Sequence, residues 1–365
     1  MNCLYRIFSE LNTKSIYSNS WGVENETVKD YINAVNGAVQ EILPLLKPNK
    51  TESKDLVIRC TKNLYMPYLA TVFYGVKQNV LLVGRASFQD PLSDSEERLG
   101  KKFIEDCSED YSLENVEKLL KELEQSQQIS VMQYVTEEFT AYCKKLPNNT
   151  DEICSKIIEL SKSNSTEFKR LVLFALATKL SSVMNKTTCK ANLFHELTHH
   201  LKDDHRLSID EFFRRTTSVW LTRSAKAMGT YCLISSVSSY IWETQGYISS
   251  PAMWTGTVLL CSSAYIYQTM NDLWRKNVLI PELKRREIQA DQSVINFASN
   301  EQLASFSQLH RVQAIADIFH YVAHCGCDTV EKVNDAFKEE GKEGPHGNLL
   351  HRLKRIQTAY QKRMG

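Results

Sequence analysis

The chain has 365 residues, 42% of them hydrophobic and 24% charged, which is ordinary for a folded globular protein with one large core or two domains. Its 44 basic and 43 acidic residues nearly cancel, so composition gives no electrostatic case for a nucleic-acid partner. Ten cysteines scattered without a paired framework read as reduced thiols, against a disulfide-stapled secreted fold.

The first ten residues have no basic start followed by a long apolar run, so no cleavable secretory signal is expected. The expected placement is cytoplasmic or membrane-associated. Residues 27–47 carry apolar side chains at threes and fours and predict a helix, with Pro44 and Pro48 troubling its end. Runs rich in branched and aromatic residues at 55–60, 68–75 and 79–84 predict strands, with Gly75 and 77–79 turning the second into the third. Residues 94–185 read as charged helices, including 113–123, 153–160 and 169–184. The expected class is therefore mainly α with a small β-sheet, an α+β fold. Its expected segments are an N-terminal helical piece (1–50), the small sheet (51–93), a helical insertion (94–185) and a C-terminal core (186–365).

That core opens on His195-Glu196-Leu197-Thr198-His199-His200. A helix sets positions i and i+4 on one face, so His195 and His199 can direct two imidazoles at one ion, as zinc requires. Glu196 then reaches the open coordination position, where a carboxylate can take a proton from water. Thr187 and Thr188 are candidate caps for this helix. His200 lies about 100° around the helix from His199 and His205 lies beyond it, so neither is chosen as a ligand.

Between Lys226 and Glu243, and again between Glu243 and Asp272, the sequence has no charge. The apolar hairpin expected over 227–271 reads either as a membrane segment or as a buried pair of helices, its many Ser and Thr residues suiting both. Helices are expected near 278–299 and 304–322, and at the basic 351–357. The Lys and Arg runs at 284–286 and 352–355 read first as solvated faces. A third ligand is needed, and Glu287 and Asp291 share a helical face: one can bind metal while the other acts behind it.

Three segments in order resemble the M48 family of metallopeptidases, which includes the CAAX prenyl protease and the HtpX and Oma types. They are His195 to His205, the Glu287-Ile288-Gln289-Ala290-Asp291 element, and His346-Gly347-Asn348-Leu349-Leu350-His351-Arg352. The resemblance implies a zincin-like, gluzincin core holding one zinc ion on His195, His199 and Glu287, with Glu196 activating the attacking water. Asp291 would orient a ligand histidine or pair with Arg352, and His346 would stabilise the oxyanion or hold the substrate backbone. Protein or peptide substrate would bind as an extended strand, with 67–70 through 80–83 as the candidate edge. The sequence departs from the family at Gly347, where Pro is usual, and places the edge strand some hundred residues early. The expectation is a zinc endopeptidase; the alternative is a zinc-stabilised scaffold or membrane-associated binding protein that no longer cleaves. Delivery into a host as an effector is a third reading that the N-terminus permits.

Overall fold

The computed structural model describes residues 26–46, 56–61, 69–75, 78–84, 92–107, 129–163, 165–180, 186–201, 205–241, 251–343 and 347–365. In chain order the elements are α1 (Glu26–Leu46), β1 (Leu56–Thr61), β2 (Leu69–Gly75), β3 (Gln78–Gly84), α2 (Asp94–Cys107), α3 (Ile129–Lys145), α4 (Thr150–Lys162), α5 (Thr166–Leu180), α6 (Lys186–Leu201), α7 (His205–Ile241) and α8 (Pro251–Trp274). A π-helical turn (Arg275–Leu279) follows, then α9 (Ile280–Phe297), α10 (Asn300–His324), α11 (Val330–Glu343) and α12 (Leu349–Met364). The helix expected at 113–123 and the catalytic candidate His346 lie outside the described residues.

The expected α+β class is corrected to all-α. Of the core side chains described, only Leu81 is on a strand; the rest lie on helices or the short loops between them. Three strands of six or seven residues pair in the order β1-β3-β2, with β1 parallel and β2 antiparallel to β3. Apart from Leu81, the described apolar burial, the main stabilising term, is of helix on helix.

The chain divides into two compact units, Met1–Asp203 with Arg286–Gly365, and Asp204–Arg285. In the first, α10 is the axis. Its N-terminal half gives Leu303 and Phe306 to a core shared with α1, α6, α9, α12 and Leu81 of β3. Its C-terminal half gives Val312, Ile315 and Phe319 to a second core with α3, α4, α5 and α11. A helix buried on nearly every side needs no single apolar stripe, and α10 buries Ala, Ser, His and Asp positions alongside its large residues. It starts at a capping box, in which Ser299 and Gln302 each satisfy the other's backbone N–H.

The second unit holds α7, α8, the π-helical turn and the start of α9. The π turn has a local cause: Pro281 has no N–H to give the Asn277 carbonyl, and just before it the ladder widens so that Ile280 N–H bonds the Arg275 carbonyl. Among the described residues, no helix is long and apolar enough to cross a membrane.

Two local expectations also change. Helix α6 begins at Lys186, so Thr187 and Thr188 sit inside its first turn and do not cap it; their hydroxyls instead reach Glu301 and Ser305 of α10. Pro44 is accommodated within the last turn of α1, which runs on to Leu46.

Candidate metal centre

Helix α6 is held in place by its apolar residues. Ala191, Leu193, Phe194 and Leu197 are buried in the core shared with α1 and α10, and their spacing leaves the His195–His199 face for α9 and α12. The two imidazoles meet as expected of an i, i+4 pair: His195 Nε2 and His199 Nε2 are 3.1 Å apart. Glu287 comes from α9, with Oε2 3.3 Å from His195 Nε2 and Oε1 3.4 Å from His199 Nε2. Donor atoms on a tetrahedral zinc ion, with bonds of about 2.0–2.1 Å, stand about 3.3 Å apart. Each Glu287 oxygen stands at about that spacing from one of the two imidazoles, and one ligand atom from each of the three side chains lies within 4.8 Å of the others. His195 is buried, and the site's open edges belong to His199 and Glu287, whose side chains are each 12% exposed. Glu196, next to His195 on α6, is half-buried.

Behind this cluster lies Asp291, fully buried one turn along α9 from Glu287. Its Oδ1 is 3.1 Å from His195 Nδ1. Because a carboxylate can only accept, this contact puts the imidazole proton on Nδ1 and leaves the Nε2 lone pair facing the site. Arg352 of α12 clamps the same carboxylate with a fork, Nη2 to Oδ1 at 2.6 Å and Nε to Oδ2 at 2.9 Å. Arg355, one turn on, also donates to Asp291 Oδ2. Burial alone would raise the Asp291 carboxyl, but Arg352 and the His195 contact outweigh it and hold it well below the usual range. Burial likewise would lower the His195 imidazole; the hydrogen bonds to Asp291 and Glu287 reverse that and hold it above its ordinary value.

The structure brings together His195, His199, Glu287, Asp291 and Arg352. The reading of 352–355 as a solvated face is corrected: Arg352 and Arg355 turn inward, and Lys354 is the exposed member. Arg355 was legible in principle, since i and i+3 share a helical face. His310 had no such signal. It lies on α10, buried beneath the centre, its ring 4.4 Å from that of Phe306, which in turn lies 6.3 Å from the His195 ring. Its Nδ1–H donates to the Phe306 carbonyl at 2.9 Å. Burial, reinforced by Arg352, pushes this imidazole down to about 3, so it is neutral at any ordinary pH.

The loop before α12 has a backbone requirement of its own at Gly347. Gly347 has φ 72°, in the left-handed region, whereas proline is locked near −65°. A proline therefore cannot stand there in this backbone. Asn348 follows as the cap of α12, accepting from the N–H groups of Leu350 and His351. Finally, β2 is an outer strand of the sheet and packs against α6, so the long sequence separation between them closes in space.

Compared with family models, curated proteins and solved structures, this chain finds no match among any of them.

Proposed function

We propose that this chain is a zinc-dependent endopeptidase with an M48-like core. The observation that supports the reading is the cluster of His195, His199 and Glu287, whose ligand atoms lie within 4.8 Å of one another, with a buried carboxylate fixing the tautomer of His195. Two imidazoles and one carboxylate form a donor set suited to zinc, with the fourth position left for water or substrate. A divalent ion held there supplies Lewis acidity to a water and to a carbonyl oxygen. The rest is the work of the chain's own groups. Glu196 takes the proton from the attacking water and delivers it to the departing amine. Asp291, gripped by two arginines, keeps His195 oriented. Among the described residues no further strand pairs with the outer edge of β2, beside α6, and an extended peptide would pair there as an added strand.

The test is metal content and cleavage of an unstructured protein, wild type beside Glu196→Gln. About one zinc per chain in both, with cleavage at least 100-fold slower in the variant, is the expected result. Undiminished cleavage by Glu196→Gln overturns the mechanism. Zinc in both proteins without cleavage by either favours a highly selective enzyme or the scaffold reading.

A further inference from the structure

The second unit exposes far more apolar surface than its size explains. Helices α7 and α8 lie antiparallel, with the Arg214 guanidinium 4.3 Å over the Trp274 ring near one end and Cys232 Sγ 3.1 Å from Thr257 Oγ1 further along. The seam between them is built from small residues such as Ala225, Cys232, Thr257 and Ala264. The large apolar side chains point outward instead. Trp220 is 68% exposed, Leu233 60%, Ile234 61%, Leu259 62%, Tyr265 73% and Ile266 60%. They do not fall on one stripe: Leu233 and Ile234 are neighbours about 100° apart around α7, as are Tyr265 and Ile266 on α8. A helix that is apolar around most of its circumference is ordinarily enveloped by an apolar medium, and monomers in water rarely carry such a surface.

The charge pattern says which medium. No charge occurs over 227–241 or 251–271. Among the described side chains of 214–276, Arg214, Arg223, Lys226, Arg275 and Lys276 are all exposed, against one carboxylate, Asp272. Five cations beside an uncharged apolar arm complement the phosphates and acyl chains of an anionic lipid layer. A second copy of the same hairpin would oppose these five cations with five more and with one described exposed carboxylate, Asp272. The charge-free part of α7, 15 residues from 227 to 241, is about 22 Å long, short of the roughly 30 Å hydrocarbon core. That agrees with the absence, among the described residues, of a helix able to cross a membrane.

We propose that the α7–α8 hairpin seats itself in the interfacial layer of an anionic phospholipid membrane without crossing it, its root on the headgroups and its arm among the acyl chains. This does not depend on the peptidase reading. The full chain is mixed with vesicles of phosphatidylglycerol and phosphatidylethanolamine, or of phosphatidylcholine alone, and floated through a density gradient. Binding to the anionic vesicles at least tenfold tighter than to phosphatidylcholine is expected, weakening as salt is raised. Leu259→Glu with Ile266→Glu, and separately Arg223→Glu with Lys226→Glu, should each lower that binding at least tenfold while helix content and metal content stay unchanged. Failure of the wild type to float with either vesicle overturns the proposal. So does equal binding by the charge-reversed variant, or a lipid-free dimer that Leu259→Glu dissociates.

Discussion

Asp291 shows how one side chain can decide what its neighbours do. Buried without partners it would be protonated or expelled, and its two arginines would be equally costly in its absence. Together they form a preset support behind His195, so that affinity for a metal at this candidate site would depend on residues that never touch it. His310 is the quieter neighbour, and it has a measurable pH signature. Its folded value, about 3, lies below that of an unfolded histidine, near 6.5, so the unfolded chain gains a proton first as pH falls. Its contribution to stability is whole above pH 6.5 and is lost at up to about 1.4 kcal/mol per pH unit between there and pH 3. Arg352, Asp291 and His195 also face this region, so the wild-type curve mixes several groups. His310→Gln keeps a donor for the Phe306 carbonyl and cannot titrate. In urea melts of zinc-loaded protein, the stability gap between wild type and His310→Gln should therefore shift in the variant's favour as pH is lowered from 6.5 to 4.5. A constant gap would contradict the buried neutral state.

At the scale of elements, the centre depends on where α12 begins. Gly341, near the end of α11, lies so close to Asn348 that a Cβ on it would stand 2.9 Å from the Asn348 backbone N and Cα. Backbone atoms cannot swing aside as a side-chain tip can, so Gly341→Ala must displace the cap of the helix that carries Arg352 and Arg355. A loss of about 1–3 kcal/mol in denaturant melts is expected, together with weaker zinc binding in a competition titration. A loss of stability with unchanged zinc affinity would mean that the start of α12 does not govern the centre. The pairings that local rules describe were legible in the sequence: His195 with His199, and Glu287 with Asp291, each four apart on a helix. The inward turn of Arg352 and Arg355 was obscured by their basic neighbours, because composition records charge and not facing. His310 was hidden for the opposite reason, since a lone histidine on an apolar helix carries no pattern. The strand-like runs were visible, but their order, with β3 between β1 and β2, depends on tertiary pairing that no local window contains.

For the whole molecule, all three candidate ligands and both described cores lie in the unit formed by Met1–Asp203 and Arg286–Gly365. Replacing residues 206–279 by a short Gly/Ser linker should therefore preserve zinc binding to within about threefold while abolishing flotation with anionic vesicles. Loss of zinc from that shortened protein would show that the two units are not energetically separable. A near-additive outcome is what independent sites without shared partners give.

The centre's parts are also spread widely along the chain: Asp291 and Arg352 are separated by 61 positions, His195 and Arg352 by 157. During translation at about 5–20 residues per second, roughly 10–30 s pass between synthesis of the first histidine and of the arginine that secures its carboxylate support. Throughout that interval the nascent chain carries the candidate ligand pair without the groups that aim it. Under the proposed function, hydrolysis would begin only after the stretch through Arg355 has left the ribosome and folded, so an unfinished copy would lack the activity of the finished one.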